Sequence, residues 1–257
     1  NLLAAGAIAV GVTSGFARDR SDVTIDLGGA DLDARTVNVI AKNAGDVLAD
    51  AFGVVGGLGA SGVNNANAKR EANTRVFARE TNVSARDFTL LAMDNDSDGT
   101  GGRARVLAKT SSTTVAGASI GGSHATAKNN SSVVAELVFG AFDILEDARI
   151  ETRNESDLEY ESKGLTLSLV GFGGSFAKGE DLSESRLDLQ FAQGGTVGGT
   201  FSAAARGDAY LFGNASAGNG GIISAFASDL VLRMNAQTSL SLSGGELIAK
   251  AIDLRTE

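Results

Sequence analysis

The run Leu165–Ala177 reads LTLSLVGFGGSFA, and its features decide the fold class. Leu165, Leu167 and Leu169 alternate with Thr166 and Ser168, the period-two pattern of a half-buried strand. Gly171-Phe172-Gly173-Gly174 resembles a phosphate-cradling loop in its letters, but it has no P-loop lysine and no long helix after it. It reads instead as a corner or a closely packed strand. Ser175-Phe176-Ala177 is a small–aromatic–Ala step that returns elsewhere in the chain.

The alternation spreads outward from this run. It is present at Val23, Ile25 and Leu27, at Val37, Val39 and Ala41, at Leu187, Leu189 and Phe191, and at Leu240 and Leu242. Between the strands lie turn clusters such as Gly28-Gly29, Asn64-Asn65, Asn129-Asn130, Gly194-Gly195 and Gly244-Gly245. Helical signals are confined to Asp46–Phe52 and Phe142–Ala148, both too short and without clear caps. The apolar segment Leu2–Val12 has no basic stretch before it and reads as a core strand rather than a signal peptide. The expectation is an all-β chain.

A longer period lies over the short one. The small–aromatic–Ala step centres on Phe16, His124, Phe176 and Phe226, with a degenerate copy at Val63, in steps of 47, 61, 52 and 50 residues. Strands ending at Asn43, Asn95, Asn154 and Asn214 give steps of 52, 59 and 60. Two markers near one period describe about five diverged units of some fifty residues, the signature of a stacked array. Each unit completes its neighbour's core. The architecture expected is one continuous β-solenoid over residues 1–257, with two or more coils per unit, continuing beyond this stretch in a longer repetitive chain. A five-bladed propeller is the alternative, and the Trp-Asp and Gly-His signatures of common blades are missing.

Composition agrees. The chain has no Pro, which would remove ladder donors, and 34 Gly, which suit tight corners. Aromatic content of 5% suits thin layers of Ala, Val, Leu and Ile. With no Cys, disulfides, thiolate zinc sites and thiol catalysis are excluded. A net charge of −9 disfavours nucleic acid and anionic membrane surfaces, and no apolar run reaches transmembrane length.

Candidate sites are few. Asp94, Asp96 and Asp98 begin a D-x-D-x-D-G run that could offer oxygen ligands to calcium, but the twelfth position of that pattern is Arg105, so a solvated acidic turn is the favoured reading. His124 stands where other copies hold Phe, which marks it as a packed ring rather than a general base. Gly117–Gly121 (GASIG) matches a nucleophile elbow in letters only. The acidic stretch Glu146–Glu161 is interleaved with Arg149 and Arg153, as a solvent face would be. No catalytic residue and no cofactor are expected.

The runs ADAFGVVGGLGASGVNNANAKREANTRVFARE (49–80) and AKTSSTTVAGASIGGSHATAKNNSSVVAELVFGAFDI (108–144) resemble the repeat region of very large bacterial filamentous adhesins. The similarity is to the leukotoxin type and, more distantly, to filamentous haemagglutinins exported by two-partner secretion. It implies a right-handed parallel β-helix, export to the bacterial cell surface and a role as stalk or contact surface. Partners would then be a host-cell, neighbouring-cell or matrix surface, or copies of the chain itself, without nucleic acid and without membrane insertion. Two alternatives stand beside this structural or adhesive segment: a self-assembling extracellular filament subunit, and a polysaccharide-active β-helix enzyme motivated by the acidic stretch.

Overall fold

The computed structural model describes residues 2–94 and 104–257. Its strands are β1 Leu2–Asp19, β2 Asp22–Asp26, β3 Asp31–Asn43, β4 Val47–Arg70, β5 Asn73–Asp94, β6 Ala104–Asn129, β7 Ser132–Ile144, β8 Ala148–Asp181, β9 Glu184–Phe191, β10 Gly195–Gly220, β11 Ile223–Met234, β12 Gln237–Gly244 and β13 Leu247–Thr256. No helix occurs among the described residues. The two segments with helical signals lie mostly in β4 and in β7 with the start of β8. Asn64-Asn65 sits inside β4 rather than at a turn, whereas Gly28, Gly29, Gly194 and Gly244 adopt the positive φ of tight corners.

All strand pairs are parallel. Blades built from antiparallel meanders are therefore ruled out. One column of register partners runs Val12, Val63, Gly122, Gly174, Ala227, in steps of 51, 59, 52 and 53 residues. Strand neighbours are thus one whole unit apart, so each unit contributes one wide layer and not two or more narrow coils. The long step has a local cause. Asn43 pairs with Asp94, 51 residues on, while the Arg105 amide donates to Asp46 Oδ1, 59 residues on. The eight extra residues of that layer fall between Asp94 and Arg105, where the D-x-D-x-D-G run lies.

Within a layer the chain forms two arches joined at a waist. In the first, exemplified by β7, the start of β8 and their equivalents, large side chains point inward. Phe88, Phe139, Phe142, Phe191 and Phe201 are all buried there with Leu90, Leu137, Ile150, Leu187 and Leu189. Their rings contact one another at centroid separations of 4.7 to 5.9 Å, and Phe139 stacks on Phe191 in register. The five buried phenylalanines are therefore gathered in one core and not shared between the arches. Burying each ring fully is worth roughly 1.5–3 kcal/mol.

The second arch is built differently. Its arms in one layer are Val106–Ala116 and Ala118–Asn129, with counterparts in β4, β8, β10 and β11. Near the waist the interior holds Val47, Val106 and Leu158 with buried alanines. Toward the tip it narrows to Thr110, Ser112, Thr114, Ser119, Ser123, Ser162, Thr166, Ser168 and Ser175, all buried. Ser123 and Ser162 hydroxyls meet at 2.8 Å across the arms, as do Ser119 and Ser168 between layers. A Cβ on Gly121 would come within 2.9 Å of Thr114 Oγ1, so the gap admits only small residues. Large apolar residues are consequently turned outward: Leu165, Leu167 and Leu169 are exposed while Thr166 and Ser168 are buried. Leu3, Ile8, Val10 and Val12 also face out, so Leu2–Val12 is a strand but does not place its large side chains in the core.

Candidate functional site

The waist between the arches is a ladder of buried polar groups. In three layers the chain turns there through an Asp/Asn-x-Ser step, with the side chain at its first position accepting from the Ser amide: Asp19 to Ser21 at 3.0 Å, Asn129 to Ser131 at 3.2 Å and Asp181 to Ser183 at 2.9 Å. This is the local bond that favours Asp and Asn at turns. Facing these steps is the column Asn43, Asp94, Asn154, Gly207. Ser21 Oγ donates to Asn43 Oδ1 at 3.0 Å, and Ser131 Oγ donates to Asn154 Oδ1 at 3.1 Å. Asn154 Nδ2 donates in return to the Ser131 and Glu184 carbonyls.

The layer between them changes every partner together. Its corner is Arg70-Glu71-Ala72, and the facing residue is Asp94. Arg70 Nη2 donates to Asp94 Oδ1 at 2.6 Å, with both side chains fully buried, and Arg70 Nε reaches Asp19 Oδ2 at 3.3 Å. Burial raises the Asp94 pKa above its ordinary value and the Arg70 charge opposes that rise. An ion pair here replaces the neutral Asn–Ser pair of the adjoining layers.

The sequence-predicted residues distribute as follows. Asn43 and Asn154 do share a column, but its member between them is Asp94; Asn95 lies outside the described residues, and Asn214 pairs with Glu161 in another column. His124 and Phe176 are register partners, whereas Phe16 lies on Asn67 and Phe226 on Gly173. The rings are not packed: Phe16, His124, Phe176 and Phe226 are all exposed. The period was right and the phase was not, because the second arch turns these four rings outward. Asp96 and Asp98 lie outside the described residues, and Asp94 is occupied by Arg70. The more reliable marker, Asp/Asn-x-Ser at 19, 129 and 181, was visible in the sequence as a repeated tripeptide.

The acidic stretch forms ion pairs. Glu151 is nearly buried between Arg149, Arg153 and Arg206; burial works to raise its pKa, and the three guanidinium groups outweigh it and hold the carboxyl low. Glu159 is lowered chiefly by its hydrogen bond from Arg105. Elsewhere, Glu71 falls to about 2 through hydrogen bonds from Lys69 and Arg18. Tyr160 is pushed up to about 12 by burial. Ser119 of the GASIG run is buried inside the arch, so it is not presented as a nucleophile. Among the described residues no group of three or more His, Asp or Glu is placed to hold a metal.

No family model, no characterised protein and no solved structure matches the chain.

Proposed function

We propose that the chain is a structural or adhesive segment of an extracellular bacterial surface filament or adhesin, acting as a stiff rod without catalytic activity. In this reading the parallel layers wind as a right-handed β-solenoid of five units, one unit per turn. The observation that carries it is the parallel register, in steps of 51 to 60 residues with only local shifts at Ala78–Val83 and Val197–Thr200, around almost the whole contour of the described residues. Every layer templates the next through backbone bonds and stacked like residues, an arrangement that builds length and stiffness. The buried polar residues support the same reading, since they are spent on one another across the waist.

Contact with a cell, a matrix or another filament would then use the outer faces of the layers. The test is binding of chain-coated beads to host and bacterial cell surfaces, with His124→Ala and Ser119→Ala alongside. Binding that survives both variants is expected. A turnover reaction abolished by either substitution would overturn the reading.

A further inference from the structure

The waist carries buried charge in a set order. One register column there runs Asp19, Arg70, Asn129, Asp181, Met234, one residue per layer. The facing column runs Asn43, Asp94, Asn154, Gly207. Arg70, Asp94, Asn129 and Asp181 are fully buried, and Asn154 nearly so. In neither column are two like charges register neighbours. Arg70 lies between Asp19 on one side and Asn129 on the other, and it faces Asp94 in its own layer. Asp94 lies between two asparagines. Asp181 accepts from Asn129 Nδ2 at 3.3 Å, from Ser156 Oγ at 2.5 Å and from the Ser183 amide at 2.9 Å.

Stability alone does not account for this arrangement. Replacing a buried ion pair by a well-packed uncharged set is often neutral, and the adjoining layers fill the same place with Asn and Ser. What the charges do is tell one layer from another. The layers are otherwise alike at the waist, where Asp19-x-Ser21, Asn129-x-Ser131 and Asp181-x-Ser183 turn the chain in the same way. A stack of similar layers has a competing arrangement, in which a layer adds to the same layer of a second copy while both are folding. A strand edge open at that stage accepts a parallel partner, and each layer matches its own outline. Columns of asparagine favour such pairing, because each amide bonds the next. Buried charges oppose it. The Arg70 layer on its copy would set Arg70 against Arg70 and Asp94 against Asp94, about 4.8 Å apart. The Asp19 layer would set Asp19 against Asp19, and the Asp181 layer Asp181 against Asp181. The native order gives every one of these charges an opposite or uncharged neighbour.

We propose that the buried charges of the waist are an order code. They hold the Arg70 layer to the Asp19 layer of its own chain, and they keep identical layers of two copies from stacking. The inference rests on the register and not on the adhesive reading, so the two tests are independent.

The experiment is refolding from urea at rising protein concentration, followed by size-exclusion chromatography and electron paramagnetic resonance of a nitroxide on Ser84→Cys. The chain has no other cysteine, and Ser84 is exposed on the Arg70 layer. With the native waist the chain should refold chiefly as monomer with uncoupled labels. R70N/A72S/D94N, which copies the neutral following layer, should give several-fold more oligomer. Its labels should be exchange-coupled, because in-register copies bring them one strand spacing apart. Asp181→Asn should do the same with the label on exposed Gln190→Cys, and it decides the matter if the triple variant does not fold. The proposal is overturned if the folded neutral variants stay monomeric at every concentration, if the native waist gives coupled oligomers as readily, or if the variants' oligomers carry uncoupled labels.

Discussion

Replacing Arg70 by Met tests the waist directly. Met keeps the length and apolar volume of the arginine stem and leaves the Asp94 carboxyl buried without its cation. Asp94 Oδ2 already has no hydrogen-bond partner, and apart from Arg70 only the Ser131 side chain helps to hold the charge. The folded variant is then stable only with Asp94 protonated. Each pKa unit corresponds to about 1.4 kcal/mol, so protonating a carboxyl of ordinary pKa 3.8 costs about 4 kcal/mol at pH 7 and under about 2 kcal/mol at pH 5. The pH 7 figure agrees with the roughly 3–5 kcal/mol typical of breaking one side of a buried ion pair. Urea unfolding followed by far-UV circular dichroism at both pH values measures the loss relative to wild type. The companion variant R70N/A72S/D94N copies the Asn129-x-Ser131 and Asn154 arrangement of the following layer, and it should recover most of the stability at pH 7 with little pH dependence. A loss below about 1 kcal/mol for R70M at pH 7, or an equal loss at both pH values, would refute the reasoning.

Further outcomes follow from the same geometry. Phe142→Ala, in the ring cluster of the first arch, should cost about 3–5 kcal/mol in urea unfolding, whereas Phe172→Ala, exposed on the second arch, should stay within about 0.5 kcal/mol. A Cβ on Gly179 would clash with the Tyr160 ring, so Gly179→Ala should lower stability by about 1–3 kcal/mol, and Tyr160→Leu in the same chain should relieve part of that loss. In acid, Glu71, Glu151 and Glu159 hold pKa values below the unfolded value of 4.5, so the unfolded chain binds more protons and stability should fall as pH drops from about 4.5 toward 2. Asp94 acts the other way, since its raised pKa gives back stability as it protonates. A urea midpoint unchanged between pH 6 and 3 would contradict the balance of these shifts. Tyr160 should resist ionisation until about pH 12 in an absorbance titration of the folded chain.

Much of the fold was legible because β periodicity is local. Leu187, Leu189 and Phe191 alternate with charged and polar residues and do face the core. Gly28-Gly29, Gly194 and Gly244 marked real corners. The unit length was legible too, because a parallel stack repeats its corners once per layer. What failed was the phase. Small–aromatic–Ala joined Phe16, His124, Phe176 and Phe226 by letter, and only His124 and Phe176 are register partners. The eight-residue lengthening before Arg105 shifts later markers against earlier ones, so spacing alone could not align them. Asn43 and Asn154 were found for a sound reason, since both stand in the register column at the waist, Asn43 as the last residue of β3 and Asn154 within β8. Arg70 was missed because its role appears only beside Asp94, 24 residues away.

The sequence by itself determined an all-β chain, its period near fifty residues and the absence of thiol chemistry. Only the tertiary structure decided which side of each alternating strand is inside. Alternation dictates that Leu167 and Ser168 point opposite ways, and it is silent on which of them is buried. In the first arch the arms stand far enough apart for stacked phenylalanines. In the second, glycine and hydroxyl residues let the arms close to a gap no leucine fits, and the leucines are turned out to the surface.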